Sequence, residues 1–301
     1  MKLTNTGCAI CGSLQNYTVI YEQNFRESDF NADVFSARRM PDSVHYRIVK
    51  CNKDGLMRSS PVLEDSAVYA LYKNSSFTYG NETENLTISY LAALMPLLRG
   101  LPKDAKILEV GCGNGFLLKT LYNLGYKNVF GIEPSVDAVE KSDKDIRNKI
   151  TTGILRTDTF KSGTFNLIYF FQLLDHVPDP DNFLKICYAL LSPGGFMLAF
   201  NHDVESLSAR LLKERSPVID IEHSYFFCKQ TIKKISEKNN FLITRIYSPA
   251  NVISLKHIIW LLPIPGWIKL KLLSLKAGIF CSILKQKIRI KIGNLCLIAT
   301  K

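Results

Sequence analysis

Hydrophobic positions along the chain change their spacing near residue 100. Between residues 86 and 98, apolar side chains recur every three or four positions, a period that predicts a helix of about four turns. This helix is expected to end at Gly100, just before Pro102. Beyond that proline, short apolar runs alternate with amphipathic stretches, which is typical of strands that alternate with helices.

The predicted strands and helices follow one another in a regular order. Strands are expected at KILEVG, NVFGIE, FNLIYFFQ and FMLAFN, with a short one at GILRT and two more at FLITRIYS and NLCLIATK. Helices are expected at NGFLLKTLYNLGY, at PSVDAVEKSDKDIRN with Ser135 as N-cap, and at DPDNFLKICYALLSPGG. The run FNLIYFFQ is apolar on both faces, as in a buried parallel strand. The predicted fold class is therefore α/β, with a doubly wound, mostly parallel sheet.

These patterns divide the chain into five parts. The first sixty residues are polar and irregular, and a basic, apolar segment separates the last two predicted strands. The predicted organisation is a cysteine-knuckle module at 1–60, a helical lid or linker at 61–100, a core at 101–250, a basic amphipathic insertion at 251–290 and a final strand at 291–301.

Composition narrows the class of protein. Of the 301 residues, 47% are hydrophobic and 22% are charged, which is ordinary for a globular protein with a packed core. No apolar run reaches the ~18 residues that a membrane-spanning helix needs. No basic and apolar leader precedes the first cysteines, so we expect a cytoplasmic protein. Its eight scattered cysteines are then expected to be reduced thiols.

The positive charge is concentrated at one end of the chain. The net charge is +11. The stretch after Asn251 contains nine basic residues and no aspartate or glutamate. Because the insertion at 251–290 mixes lysines with Trp260 and Trp267, one interpretation is binding to an anionic membrane at its inner, cytoplasmic face. The other is a helical pair that packs on the sheet or on a second subunit. Nucleic acid is not the expected partner, since the aromatic residues lie within apolar runs. The oligomeric state stays open.

Two cysteine motifs resemble a metal knuckle, one of them incomplete. GCAICGS provides Cys8 and Cys11, and KCNKDGL provides Cys51, with Asp54 where a fourth cysteine would stand. Structural zinc takes four protein ligands, and aspartate is an acceptable but less common one. Two interpretations stay open: a structural zinc site of three thiolates and one carboxylate, and a metal-free module.

A glycine-rich loop follows the first core strand. In LEVGCGNGF the glycines stand at 111, 113 and 115, and Phe116 occupies the position where a dinucleotide fingerprint requires its third glycine. An NAD or FAD enzyme is therefore not favoured. The simplest alternative is a turn that only links the strand to the helix.

Four motifs resemble, in order and spacing, those of class I S-adenosylmethionine-dependent methyltransferases. They are ILEVGCGNGF, GIEPS, FNLIYFFQLLDHVPDP and LLSPGG, and the likeness covers roughly residues 100 to 200. The resemblance implies a seven-stranded, Rossmann-like sheet, S-adenosylmethionine as cofactor, and methyl transfer as the activity. One departure is Asn166, where many relatives carry aspartate.

The resemblance also implies which residues bind the cofactor. Glycines allow a close approach of the backbone to a ligand, and Glu133 stands where a carboxylate accepts hydrogen bonds from the ribose diol. Glu109 is expected to face the ammonium group of the cofactor, either directly or through a water molecule. The expected cofactor-binding residues are Glu109, Gly111, Gly113, Gly115, Glu133, Asp158 near the adenine amine, and Gln172 and Tyr79 near the methionine part. Thr157 or Thr159 could take the place of Asp158, and Tyr79 could instead be a packing residue.

The motif DIEHSYFF resembles the Glu-His pair of sugar and surface-polysaccharide methyltransferases, which also carry an N-terminal zinc knuckle. This likeness implies His223 as a general base oriented by Glu222, with His176 as the second candidate. Either histidine could instead be structural. The implied acceptor is a sugar or glycan intermediate of surface polysaccharide synthesis. The alternatives are a non-catalytic protein that binds adenosylmethionine, and a methyltransferase acting on RNA or another small molecule.

Overall fold

The computed structural model describes residues 2–31, 34–35, 43–75, 82–262, 264–273, 284 and 286–301. The strands there are β1 Leu3–Thr4, β2 Tyr17–Tyr21, β3 Ile48–Cys51, β4 Met57–Ser59, β5 Val62–Leu63, β6 Ile107–Val110, β7 Val129–Glu133, β8 Ile150–Thr152, β9 Phe165–Phe171, β10 Leu191–His202, β11 Tyr225–Phe226, β12 Leu242–Tyr247, β13 Asn251–Ser254, β14 Lys287–Ile290 and β15 Asn294–Thr300. The α-helices are α1 Asp65–Lys73, α2 Thr83–Leu98, α3 Phe116–Asn123, α4 Val136–Glu140, α5 Lys144–Arg147, α6 Pro180–Leu190, α7 Leu207–Leu212, α8 Lys229–Lys238, α9 Leu255–Leu261 and α10 Gly266–Leu273.

A seven-stranded sheet forms the centre of the fold, as the sequence predicts. Its strand order is β12-β15-β10-β9-β6-β7-β8. The strands β10, β9, β6, β7 and β8 pair in parallel, while β15 runs antiparallel to both β10 and β12. The predicted α/β class and the mostly parallel sheet are therefore confirmed.

Helices cover both faces of this sheet, because its central strands are apolar on both sides. One core contains Phe165, Ile168 and Phe170 of β9, packed with residues of α6 and α8. The other contains Leu167 and Tyr169 of the same strand, packed with residues of α2 and α3. Burial on both faces explains the continuous apolar run that marks β9 in the sequence.

Between residues 134 and 157 the predicted helix and strand differ from the structure. The helix expected over residues 134–148 is broken into α4 and α5. Ser135 caps α4 by accepting a hydrogen bond from Ala138 N–H, and Asp143 caps α5 by accepting one from Asp145 N–H. Aspartate favours a cap over a helix interior, so Asp143 starts a new helix. The strand predicted at GILRT is wrong, since β8 lies directly before that segment.

The N-terminal cysteine segment is built into the rest of the molecule by a shared sheet. Strands β2, β3 and β4 form an antiparallel sheet that continues into β11, in the order β11-β4-β3-β2. Buried Arg58 on β4 donates hydrogen bonds from its guanidinium to the carbonyl groups of Thr6, Ser13 and Leu14. The cysteine loop is thereby held against β4, the strand that pairs with β11.

The C-terminal insertion combines helices with a pair of strands. Strand β13 pairs with β14 in an antiparallel register, and α9 and α10 follow β13 in the chain. Val252 N–H donates to Ser89 Oγ of α2, and Ser254 Oγ donates to Glu82, so the strand pair rests on α2. Within the described residues, no helix combines the length and the apolar character needed to cross a membrane.

Candidate active site

A cavity of about 740 Å³ lies where the parallel strands end. The carboxyl ends of parallel strands meet at one edge of a sheet, which is where ligands bind in α/β folds. Gly111 follows β6, Glu133 ends β7, Gln172 follows β9 and His202 ends β10, and all four line this cavity. The topology therefore collects residues that lie up to 91 positions apart in the chain.

The glycine loop after β6 forms one wall of the cavity. Gly111 has a φ of +71°, and a Cβ at this position would lie 3.1 Å from Leu173 Cδ1. Gly113 also lines the cavity, and its N–H donates to Glu133 Oε2 at 2.8 Å. Both glycines therefore present backbone to the cavity without a side chain, and their contact with the cofactor stays a prediction.

Gly115 is needed for another reason. A Cβ on this residue would lie 2.5 Å from Ile146 Cδ1 and 3.0 Å from Ile150 Cδ1, beneath the loop. It does not line the cavity. The structure therefore places Gly115 in the packing between the loop, α5 and β8, away from the cofactor position predicted for it.

Glu133 presents its carboxylate to the cavity from the end of β7. Its two oxygens accept hydrogen bonds from Gly113 N–H at 2.8 Å and Ser135 N–H at 2.9 Å. Burial raises the pKa of Glu133, and the two backbone donors lower it in part. Each oxygen keeps a further lone pair, so this carboxylate can accept two more hydrogen bonds, as a ribose diol would supply.

Gln172 has an unusual backbone and an unsatisfied side chain. Its φ is +51°, and its Nε2 donates to Asn294 Oδ1 at 3.0 Å. Its Oε1 is buried without a hydrogen-bond partner among the described residues. A buried acceptor without a donor is costly, so a bound ammonium group would satisfy this oxygen.

Glu109 lies below the loop and does not line the cavity. It is buried, and it accepts a hydrogen bond from the Tyr169 hydroxyl at 3.1 Å. Burial raises the pKa of Glu109 well above its ordinary value. The side chain of Glu109 therefore lies in the packed face of the sheet beside Tyr169, and the expected approach to an ammonium group, directly or through water, stays a prediction.

The prediction for Asp158 also differs from the structure. Its side chain is 79% exposed, lies 3.8 Å from Arg156 and is absent from the cavity wall. Gly153, Ile154 and Leu155 border the cavity in its place. Because the segment turns away before reaching Asp158, backbone and apolar groups take its expected position. Tyr79, the remaining predicted cofactor residue, lies outside the described residues.

Four side chains form an imidazole cluster on the other side of the cavity: Asp175, His176, His202 and His223. The ring of His223 lies 4.6 Å from that of His176 and 5.0 Å from that of His202, measured between centroids. All three histidines line the cavity. The structure thus brings both predicted base candidates together and adds two residues to them.

The His223 ring is fixed by a backbone group. Its Nδ1 lies 2.6 Å from the carbonyl oxygen of Val218, and its own carbonyl accepts a hydrogen bond from Ser59 Oγ of β4. Val218 therefore orients this ring, and Glu222, which was predicted for that role, also lines the cavity. The role of Glu222 stays a prediction. Burial lowers the pKa of His223, so the ring is neutral near pH 7.

His176 is held by a tyrosine of α1. Its Nδ1 lies 2.8 Å from the Tyr72 hydroxyl, which also lines the cavity. Burial, together with the neighbouring His223, lowers the pKa of His176 to about 3. This imidazole is therefore neutral across the physiological range.

Asp175 is a member of the cluster that the sequence analysis did not single out. Burial raises its pKa, but the hydrogen bond from His202 and the charges of the surrounding imidazoles outweigh burial, so the pKa lies below its ordinary value. His202 Nδ1 lies 2.8 Å from Asp175 Oδ2. The signal was present, since Asp175 precedes His176 directly after β9. Because Asp175 is adjacent to a candidate base in the loop after β9, it could have been expected at the same carboxyl-end edge of the sheet.

The predicted knuckle residues converge in the structure. One ligand atom each from Cys8, Cys11, Cys51 and Asp54 lies within 4.8 Å of the others. Cys11 Sγ lies 3.7 Å from Cys51 Sγ, and Cys8 Sγ lies 3.8 Å from Asp54 Oδ2. A tetrahedron with Zn–S bonds of about 2.3 Å has sulfur–sulfur edges of about 3.8 Å. The four side chains therefore fit a zinc ion in both number and spacing.

The chain belongs to the methyltransferase-domain family. Residues 83–246, more than half of the chain, match the family described as "Methyltransferase domain". Together with the seven-stranded sheet, this match defines a class I methyltransferase domain, whose cofactor in the family is S-adenosylmethionine.

Curated relatives match part of the chain. The "Ubiquinone biosynthesis O-methyltransferase" of Colwellia psychrerythraea is 32% identical over 119 residues, which cover 36% of this chain and 47% of that protein. The protein of the same name from Methylocella silvestris is 32% identical over 131 residues, covering 37% and 50%. The chain thus spans about half the length of these curated relatives. They carry the name of an O-methyltransferase of ubiquinone biosynthesis and not of a sugar methyltransferase.

Solved structures show a more distant likeness. A SAM-dependent methyltransferase from Archaeoglobus fulgidus is 14% identical, with a TM-score of 0.49 over 73% of this chain and 94% of its own. Another from Mesorhizobium loti is 17% identical, with a TM-score of 0.43 over 69% and 98%.

Proposed function

We propose that this protein transfers a methyl group from S-adenosylmethionine to a hydroxyl oxygen of a small molecule. The observation that carries the proposal is that the glycine–Glu133 wall and the imidazole cluster open on one cavity. The relatives named as O-methyltransferases support oxygen as the receiving atom.

The cofactor would be held by the wall that contains Gly111, Gly113 and Glu133. Glu133 would accept hydrogen bonds from the ribose hydroxyls, and Gln172 Oε1 would accept one from the ammonium group. When bound, the cofactor supplies an electrophilic methyl group, so that a carbon–oxygen bond forms while the carbon–sulfur bond breaks and its electron pair stays on sulfur. The residues present fit this ligand, because its hydroxyl and ammonium groups would donate to acceptor atoms of Glu133 and Gln172 that still have a free lone pair.

The imidazole cluster would activate the acceptor hydroxyl. Oxygen becomes a good nucleophile when its proton is removed, and neutral imidazoles close to the cavity are suited to this. His223 and His176 remain the proposed catalytic residues, and His202 with Asp175 joins them. Much of the remaining rate increase would come from positioning the oxygen in line with the methyl–sulfur bond.

The far wall of the cavity supports an acceptor with an apolar part. Ile253, Ile258 and Trp260 of the insertion line it. A sugar or glycan intermediate is the second candidate, and Asn251 supports it. Asn251 lines the same wall, and its Oδ1 is buried without a partner among the described residues, as an acceptor for a sugar hydroxyl would be.

We further propose that Cys8, Cys11, Cys51 and Asp54 hold a structural zinc ion, on the spacing described above.

We also propose that the insertion binds an anionic membrane surface at its cytoplasmic face. Support comes from exposed Lys256, Lys271 and Arg289, together with Trp267, whose side chain is 69% exposed. Lysines beside an exposed tryptophan suit a lipid interface.

The cofactor assignment is tested with Glu133→Gln. The substitution places an amide N–H against the backbone donors of Gly113 and Ser135 and removes the negative charge. We expect adenosylmethionine binding, measured by calorimetry, to weaken roughly 10- to 100-fold, since a charged hydrogen bond contributes about 1.5–3 kcal/mol. Glu140→Gln, at the exposed end of α4, is the matched control and should leave the affinity unchanged. Equal affinities in the two variants would refute the assignment.

The acceptor is tested by transfer of a labelled methyl group. The chain is incubated with labelled adenosylmethionine and either a hydroxylated aromatic compound with an apolar chain or a sugar nucleotide. Label on the aromatic hydroxyl supports the first candidate, and label on the sugar supports the second. Tight cofactor binding without transfer to either, or to RNA, would favour a non-catalytic protein.

A further inference from the structure

We infer that Asp175, His202 and His223 bind one divalent transition-metal ion on the acceptor side of the cavity. This site rests on the proposed function, because it specifies how the imidazole cluster would hold the acceptor oxygen. It is separate from the cysteine module, which contributes none of its ligands.

The ligand atoms are already close together. One atom from each of the three side chains lies within 4.8 Å of the others. Asp175 and His223 are buried, while the His202 side chain is 28% exposed toward the cavity. Two imidazoles and one carboxylate form a ligand set typical of zinc and of iron(II) with open coordination positions.

The hydrogen bond of His223 prepares the ring for a metal ion. A carbonyl oxygen can only accept a hydrogen bond, so the 2.6 Å contact with Val218 requires the proton to lie on His223 Nδ1. The lone pair then lies on Nε2. Metal-binding histidines almost always donate their other ring N–H in this way, since the contact fixes the tautomer and the ring plane.

Asp175 is held by donors that leave its charge available. Its Oδ1 accepts a hydrogen bond from Asn201 Nδ2 at 3.1 Å, and its Oδ2 accepts one from the His202 backbone N–H at 3.2 Å. In the metal-free protein the remaining contact is the 2.8 Å approach of His202 Nδ1 to Oδ2. An ion bound between these two atoms would take the place of the Nδ1 proton, and the neutral ring would then carry its proton on Nε2.

The backbone keeps the three ligands in register. The carbonyl of Asp175 accepts hydrogen bonds from Ser224 N–H at 2.8 Å and Tyr225 N–H at 3.2 Å. The loop after β9 is therefore tied to the segment that carries His223, and His202 ends the neighbouring strand β10. Ligands on such a fixed frame need little rearrangement to bind an ion.

An ion held by three protein ligands would keep coordination positions open for an acceptor oxygen. It would stabilise the negative oxygen of a bound hydroxyl group and so ease loss of the proton to water. The oxygen would then form the bond to the methyl carbon, while the carbon–sulfur bond breaks with its electron pair left on sulfur. The acceptor class that fits is one with a hydroxyl group able to coordinate a metal ion.

The test measures metal content by a readout independent of methyl transfer. The full chain is equilibrated with Zn²⁺ by dialysis and compared with His202→Ala, Asp175→Asn and His257→Ala. His257 lines the same cavity but stands outside the cluster. We expect the wild type and His257→Ala to bind one ion per chain more than the first two variants. In His202→Ala and Asp175→Asn the affinity for that ion should fall at least about 100-fold, because loss of even an outer hydrogen bond to a ligand lowers metal affinity 10- to 100-fold.

Cobalt(II) then separates this site from the cysteine module. Thiolate-bound Co²⁺ gives a strong near-ultraviolet charge-transfer band, which should be unchanged in His202→Ala while weak visible bands are lost. Equal zinc contents in the wild type and His202→Ala, with His202→Ala still folded, would overturn the site. If the wild type then still binds adenosylmethionine, the proposed function stands with the imidazole cluster as a metal-free protein base; failure to bind adenosylmethionine would count against the proposed function itself.

Discussion

Gly115 adopts a φ of +71°, and the space around its missing Cβ is filled by two isoleucines. Sequence motifs treat the glycines of the loop alike, but only Gly111 and Gly113 border the cavity. The third is required because Ile146 and Ile150 pack against the backbone of the loop. A residue type in a motif therefore does not reveal which neighbour requires it.

Substitution at Gly115 should reduce stability through overlap as well as strain. Gly163 has a similar φ of +68° but no atom within 4 Å of an added Cβ, so it is the matched control. Gly163→Ala is expected to lower the free energy of unfolding by about 1–2 kcal/mol from left-handed strain alone. Gly115→Ala should add a further ~1–3 kcal/mol from overpacking.

Urea unfolding of the two variants measures that difference. Equal losses would mean that the isoleucines move aside at no cost, and the packing role of Gly115 would be wrong. Cofactor affinity measured on the same samples shows whether the loop stays in place.

At the scale of elements, the sequence predicted most strands and helices of the core. Strand β9 was visible because both of its faces are apolar, and α2 because its apolar period is 3.6 residues. The split between α4 and α5 was missed, since one helix was predicted through Asp143 although its side chain caps a new helix. The placement of Asp158 failed because the direction of an irregular segment is decided by what it packs against.

The insertion should bind anionic vesicles through its exposed basic residues. Substituting Lys256, Lys271 and Arg289 by glutamine is expected to weaken binding about fivefold per residue, because each contributes roughly 1 kcal/mol near an anionic surface. Flotation of the full chain with vesicles containing phosphatidylserine measures the change, at low and at high salt.

Lysines elsewhere on the surface provide the control. Lys141 and Lys185 lie in exposed positions on the core, and replacing both by glutamine changes the net charge without touching the insertion. If these variants lose binding as strongly as the insertion variants, net charge alone is responsible and the proposed surface is wrong.

At the scale of the whole molecule, the cysteine module and the cavity share a sheet. Strand β4 of the module pairs with β11, and Ser59 Oγ donates to the carbonyl of His223 at 2.7 Å. A zinc ion bound in the cysteine module would therefore also stabilise the wall of the candidate active site that contains His223. The cofactor wall stands on β6 and β7, away from this contact.

Loss of zinc should consequently lower the melting temperature of the protein, while the affinity for the cofactor should change little. Asp54→Ala removes one of four ligands, and a ~100-fold weaker affinity would cost about 2.7 kcal/mol of stabilisation at fixed free zinc. Asp54→Cys restores four ligands and should retain the wild-type melting temperature. Calorimetric melting and elemental analysis measure both quantities. Unchanged zinc content in Asp54→Ala would exclude aspartate as a ligand.

The sequence by itself determined the order of strands and helices, the glycine loop and the carboxylate of Glu133, because each depends on local spacing or on a residue's distance from a strand end. Only the tertiary structure decided that Asp175, His202 and His223 meet, that Val218 fixes the ring of His223, and that Gly115 serves packing. Contacts between distant segments depend on strand order and crossovers, which a local pattern does not encode.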